Sequence, residues 1–181
     1  MIEDKLLILR FKCGNRAALA RIYEKYKADL LRIASGLSND TSLAEDIVHD
    51  VFVTFAQCLD KLKLNGNLKS YLATCVVNRV RNMNRLGRRR QTVSLEEANP
   101  EELDSNKPER WIINNEELDR LNNAMIQLPY QQREVVIMHL QGGMKFRAIA
   151  KSQKVSINTV QSRYRYGLDK LRSLLNSEVE K

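Results

Sequence analysis

A chain of 181 residues has room for one medium domain or two small ones. Its apolar fraction is ordinary at 43%, but aromatics make up only 6%, with 7 glycines and 3 prolines, an economy that helices tolerate better than turn-rich sheets. A net charge of +8 favours a polyanionic partner without identifying one. The cysteines Cys13, Cys58 and Cys75 have no CxxC spacing and lie far along the chain from His49 and His139. That argues against a metal site or disulfide framework, and for buried, reduced thiols in a cytosolic protein. No run approaches 18 consecutive apolar residues and the N-terminus has no apolar signal core, so neither membrane insertion nor secretion is expected.

Leu19, Ile22, Tyr23, Tyr26, Leu30, Ile33 and Leu37 step by threes and fours, one stripe of a helix. Gly36 and the polar run Ser38–Thr41 break it, and Ser42 with Glu45 reads as a capping box opening the next helix. That helix aligns Leu43, Ile47, Val51, Phe55 and Leu59. A loop with Lys63, Asn65 and Asn67 follows, then a helix from about Leu68 to Arg85 that buries Leu72, Val76, Val80 and Met83. From Gln91 to Pro108 the apolar period vanishes into an acidic, proline-containing linker, with Trp111 just beyond as an anchor for the next helix. The second block has Leu118, Leu121, Met125 and Leu128 on one helix ended by Pro129, a second over about Gln131–Gln141, and two more over about Lys145–Gln153 and Ile157–Leu175. The expected fold is therefore all-α: a domain at 1–90, a flexible linker at 91–108 and a second domain at 109–181.

The last two helices carry the most specific pattern. Phe146, Ile149 and Ala150 face inward, Lys154-Val155-Ser156 forms a tight turn with Ser156 as N-cap, and Ile157, Val160, Tyr164, Leu168, Leu171 and Leu175 line the inner side of the second helix. Asn158, Gln161, Ser162 and Arg165 are left outside, flanked by Thr159, Arg163 and Tyr166. Amide, hydroxyl and guanidinium groups match base edges and phosphates, and a helix-turn-helix presents such a face to the major groove.

Two polar faces stand out in the first block. Glu45, Asp46, His49, Asp50 and, at its edge, Phe52 share one outward sector, an acidic patch that repels DNA and suits a basic protein surface with Phe52 as apolar anchor. Tyr71, Cys75, Asn78, Arg81, Asn82 and Arg85 form a basic stripe, extended by Arg88, Arg89 and Arg90. Arginines that track phosphates beside a ring that stacks a base suit single-stranded DNA. Read from these features alone, one chain combines a double-strand reader, a candidate single-strand groove and a protein-binding face; a helix-turn-helix regulator fused to a helical sensor or dimerisation domain, and a protein-binding adaptor, are the rival descriptions.

Ala44–Phe52 (AEDIVHDVF) resembles region 2.2 of the extracytoplasmic-function class of sigma-70-type sigma factors, Leu68–Arg85 resembles regions 2.3 and 2.4, and Leu128–Arg172 resembles region 4. His49, Asp50, Tyr71 and Arg147 stand where that family usually has Gln, Glu, Trp and Glu. The resemblance implies two helical domains, sigma domain 2 and sigma domain 4, and no cofactor or catalysis of its own. It implies that Glu45, Asp46, His49, Asp50 and Phe52 bind the β′ coiled coil of the polymerase core. Lys63, Asn65, Asn67, Tyr71, Asn78, Arg81, Asn82 and Arg85 would take the minus-ten element, with a flipped base in the loop Asp60–Lys69. Ser156, Asn158, Thr159, Gln161, Ser162, Arg163 and Arg165 would read the minus-thirty-five element while domain 4 holds the β flap. An anti-sigma factor is a further expected partner. If the two elements lie two DNA turns apart, roughly 70 Å, a linker stretching to roughly 60 Å and the widths of two domains cover the distance.

Overall fold

A computed structural model describes residues 2–58, 67–93 and 116–177. Expectations for Leu59, Lys63, Asn65, Trp111 and the acidic stretch after Val93 therefore lie outside the described residues. Among the described residues, α-helix is the only regular secondary structure: α1 (Ile2–Lys12), α2 (Arg16–Ser38), α3 (Thr41–Cys58), α4 (Leu68–Val93), α5 (Glu116–Ile126), α6 (Tyr130–Leu140), α7 (Phe146–Gln153) and α8 (Ile157–Ser177). The basic helix is longer than its apolar period, since α4 runs past Arg85 to Val93 and takes in the first residues assigned to the linker.

Helix α2 is the spine of the N-terminal half. Ile22, Tyr26, Leu30, Ile33, Ala34 and Leu37 are buried in it, and α1, α3 and α4 all pack on it. Gly36 does not end α2, which continues to Ser38 and stops at Asn39 in the left-handed conformation (φ 59°). Asparagine reaches that conformation more easily than most residues. The cap of α3 is two residues earlier than Ser42 suggests: Asp40 Oδ1 accepts from the Leu43 N–H at 3.0 Å. Ile47, Val48, Val51 and Phe55 of α3 close the core with Leu72, Val76, Val77 and Val80 of α4.

Helix α1 has no clear sequence signal, because its apolar residues Leu6–Leu9 run consecutively. It is held by Leu7 and Ile8 and by polar contacts of Glu3 and Asp4 with α2. The buried Asp4 carboxylate accepts from Tyr26 Oη at 2.8 Å and Lys25 Nζ at 2.8 Å. Burial pulls the Asp4 pKa upward, but those hydrogen bonds outweigh it and hold it below the ordinary 3.8. Tyr26 is pushed up to about 12 by burial and by the same carboxylate.

In the C-terminal half α6 is the buried element. All six residues from Arg133 to Met138 are buried, so α6 has no continuous solvent face there. Helix α8 crosses it closely at Gly167, where a Cβ would lie 3.0 Å from Val136 Cγ2. Leu121 was expected inside, but Ala124 takes that place and Leu121 is 41% exposed. The two halves share a core: Val135, Ile137, Met138 and Met144 are buried in one apolar cluster with residues of α2, α3 and α4.

Removing the Asp4 carboxylate tests the docking of α1. Asp4→Asn should destabilise the chain by about 1–3 kcal/mol at neutral pH. A carboxylate with a depressed folded pKa stabilises above its unfolded pKa, and that contribution is lost as pH falls through the folded value. The gap between wild-type and Asp4→Asn melting temperatures should therefore narrow between about pH 5 and about pH 3. A constant gap across that range would show that the charge does not hold α1.

Candidate nucleic-acid interface

The turn between α7 and α8 is built as its sequence suggests. Lys154 closes α7 in the left-handed conformation (φ 55°), with its N–H on Ala150 and Lys151 oxygens. Ser156 Oγ then accepts from the Thr159 N–H at 3.0 Å, an N-cap that satisfies one orphan donor of α8. The Thr159 hydroxyl lies 2.8 Å from Ser156 Oγ, so Thr159 belongs to the cap. Val160 is fully buried and pins the helix at its second turn.

Asn158, Gln161 and Arg165 are exposed along one side of α8 and Ser162 is half-buried beside them. Two assignments on this helix change. Ile157 is 41% exposed and does not join the core. Arg163 turns inward, where Nη1 donates to Gln153 Oε1 at 2.8 Å and Nη2 to Gln131 Oε1 at 2.6 Å. It is a strut joining α6, α7 and α8 rather than a side chain presented to a ligand. The Arg165 guanidinium lies over the Tyr166 ring, 5.1 Å from its centroid. An arginine so placed keeps its donors outward while its plane is braced.

A second brace escaped sequence reasoning. His139, Phe146 and Tyr164 come from three helices and meet with ring centroids 4.4, 4.9 and 5.1 Å apart. His139 Nδ1 also lies 2.8 Å from the Met144 carbonyl oxygen. Period alone marked Phe146 and Tyr164 as inward, but gave no signal for the histidine between them.

On α4, Asn78, Asn82 and Arg85 are exposed. Asn67 caps the helix, its Oδ1 accepting from the Ser70 N–H at 2.6 Å. Tyr71 is half-buried against Phe55, 6.2 Å between centroids, and burial pushes its hydroxyl up to about 12. Burial likewise raises the half-buried Cys75 thiol beside it, whereas Cys13 and Cys58, expected inside, are exposed. Arg81 departs most from a free basic stripe. Its guanidinium makes a bidentate pair with Glu134 of α6, and Nη1 also donates to the Ser152 carbonyl at 3.2 Å and to Asn78 Oδ1 at 3.2 Å.

The acidic sector of α3 is partly as expected. Glu45, Asp46 and His49 are exposed, while Asp50 is paired with Arg79 of α4. Phe52 is corrected. It is only 6% exposed and meets Tyr23 edge to face at 4.8 Å, so it belongs to the core and not to an outward anchor. Four residues after Val48, it falls on the buried side of α3, one position round from the sector assumed for it. Among the described residues no group of three or more His, Cys, Asp or Glu is placed to hold a metal ion, and no helix is long and apolar enough to cross a membrane.

Comparison with known proteins places this geometry. Residues 22–91 match sigma-70 region 2 and residues 118–171 match sigma-70 region 4. The chain is 22% identical over 179 residues to the ECF RNA polymerase sigma factor SigW of Bacillus subtilis (strain 168), covering 94% of this chain and 96% of that protein. It is 24% identical over 180 residues to the ECF RNA polymerase sigma factor SigM of Mycobacterium tuberculosis (strain ATCC 25618 / H37Rv), covering 98% and 88%. Its fold is similar to the sigma factor RpoE in complex with the anti-sigma factor NepR from Bartonella quintana, with a TM-score of 0.68, 23% identity and coverage of 87% and 96%. It is also similar to CnrH in complex with the cytosolic domain of CnrY, with a TM-score of 0.68, 21% identity and coverage of 97% and 98%.

Cap and pin should separate from the outer face in a stability series on the full chain. Ser156→Ala should cost about 0.5–2 kcal/mol, and Val160→Ala about 1 kcal/mol or more. Gln161→Ala should stay within about 0.5 kcal/mol of wild type. Urea titrations followed by helix signal check all three, and a Gln161→Ala loss as large as that of Val160→Ala would place Gln161 in the packing.

Proposed function

The chain belongs to the sigma-70-type sigma factors, in their extracytoplasmic-function class, which bind RNA polymerase core and recognise promoter DNA to initiate transcription, and on that premise we propose which of its faces does what. The outer side of α8 reads duplex DNA at the minus-thirty-five element. The observation that carries this role is a capped, core-pinned helix whose exposed side holds Asn158, Gln161 and Arg165 together. Arg165 suits the O6 and N7 acceptors of guanine, and Gln161 suits adenine. Arg163 and Thr159 support that helix from within. The exposed side of α4, with Asn78, Asn82 and Arg85, takes the separated strand at the minus-ten element, joined by Arg81 when its guanidinium is released. Half-buried Tyr71 lies at the start of that face.

The core-binding face is the exposed acidic sector of α3, narrowed to Glu45, Asp46 and His49, with Asp50 already neutralised by Arg79 and Phe52 setting the helix from below. We assign it to the β′ coiled coil, and the C-terminal unit to the β flap. The sigma-70 family is not a family of enzymes, and the polymerase supplies catalysis, so this chain acts in the cytoplasm as a binding subunit without a cofactor. The similar solved sigma factors are complexes with anti-sigma factors, which supports an anti-sigma factor as a regulator here.

The assignment is tested by run-off transcription with core polymerase on a promoter library. Gln161→Ala and Arg165→Ala should each relax preference at one or two adjacent base pairs, a loss of roughly 1–3 kcal/mol of discrimination. Selection of the same minus-thirty-five sequence by both variants and the parent would remove these residues from the reading. On the core side, Asp46→Lys should weaken core binding on the order of tenfold without unfolding the chain. Arg85→Ala should lower the slope of log affinity against log salt for single-stranded DNA by about 0.7. Unchanged core affinity and an unchanged slope would overturn the two assignments respectively.

A further inference from the structure

Two halves that must read separate DNA elements are here fastened to each other. Arg81 sits in the middle of the α4 face, yet its guanidinium is spent on the other half: two bonds to Glu134 and one to the Ser152 carbonyl. Ser152 precedes by four residues the Ser156 cap of the α8 reading helix. Glu134 is 3% exposed and its Oε1 also accepts from Gln153 Nε2 at 2.6 Å. Gln153 in turn holds Arg163. A continuous chain of charged and amide groups therefore runs from the α4 face to the base of the reading helix.

The packing around this chain is close. Ile137 of α6 fits against Gly36 of α2, where a Cβ would lie 2.9 Å from Ile137 Cδ1. Gly142 lies near Ala73 of α4, where an added Cβ would come 3.4 Å from the Ala73 Cβ. Arg133 reaches Asn39 Oδ1 at 2.9 Å. In this closed form the α4 face touches α6 and the end of α7, next to the reading helix, so one molecule cannot place the two faces on elements roughly 70 Å apart.

We propose that Glu134 is a built-in substitute for DNA phosphate: its carboxylate occupies Arg81, latches the two halves together, and must be displaced before both faces engage a promoter. A carboxylate offers a guanidinium the same planar pair of acceptor oxygens as a phosphate, so the two compete for one fork of donors. If only a fraction f of molecules is open, the apparent dissociation constant for DNA at Arg81 rises by 1/f. The core polymerase or a strong promoter then selects the open form. This rests on the reading of Arg81 as a single-strand contact, and the experiment separates the two.

The test uses the full chain in four forms: wild type, Glu134→Gln, Arg81→Ala and the charge swap Arg81→Glu with Glu134→Arg. Solution X-ray scattering gives the radius of gyration, and fluorescence anisotropy gives the affinity for a mixed-sequence single-stranded oligodeoxynucleotide, with helix content as a check on folding. Wild type should be compact. Glu134→Gln should be expanded and bind the oligonucleotide on the order of tenfold more tightly, within the usual range of coupling between sites. Arg81→Ala should be expanded but bind more weakly, and the charge swap should be compact again while binding weakly. Recovery of the compact form by the swap identifies the ion pair even if a single variant loses helix. An expanded wild type, or a Glu134→Gln chain as compact as wild type, overturns the latch. Expansion of Glu134→Gln with no gain in DNA affinity keeps the latch but removes Arg81 from the DNA-reading face.

Discussion

Everything in this molecule is arranged around a helix that has nowhere to put a wet side. From Arg133 to Met138 every residue of α6 is buried, so both flanks of the helix need cover. Helices α7 and α8 supply one flank, and α2 and α4 of the other half supply the second. Fully burying an aliphatic side chain such as Ile137 contributes about 1.5–3 kcal/mol, and that return requires the two halves to meet. The polar residues caught in the same turn accept the terms of this burial: Glu134 has Arg81 and Gln153, and Arg133 has Asn39 and the face of the Tyr130 ring. A buried ion pair gains little net stability over apolar packing, but it fixes one docking geometry, because losing either partner leaves a buried charge.

The small residues at the junction express the same constraint. Glycine in a helix interior costs roughly 1 kcal/mol against alanine, and Gly36 sits inside α2. Contact with Ile137 gives that cost a physical reason, since a side chain at 36 would have to displace the Ile137 side chain that fills the space. Gly167 does the same on the opposite flank, under Val136.

Local periodicity made much of this legible. The α2 stripe, the α4 stripe and the α7–turn–α8 unit follow directly from where apolar residues recur, and Ser156 was identifiable as a cap from its type and place. Failures came where the side chain's partner lies far along the chain. Arg81 and Arg163 look like surface arginines in sequence, and only the fold brings Glu134, Gln153 and Gln131 to them. Phe52 and Ile157 sit at the edge of a helical stripe, where a rotation of one position decides between core and surface. Helix α1 and the all-round burial of α6 share another cause: consecutive apolar residues carry no period to read.

The order of the elements along the chain gives the shared core a meaning during synthesis. A ribosome adding about 5–20 residues per second releases α1 to α4 well before α6, so α2 and α3 can pack while the hollow at Gly36 is still vacant. Helix α6 then emerges with an apolar flank and finds its receptor already formed. A segment buried on every side thus spends little time uncovered in the cell, because its seat is made first.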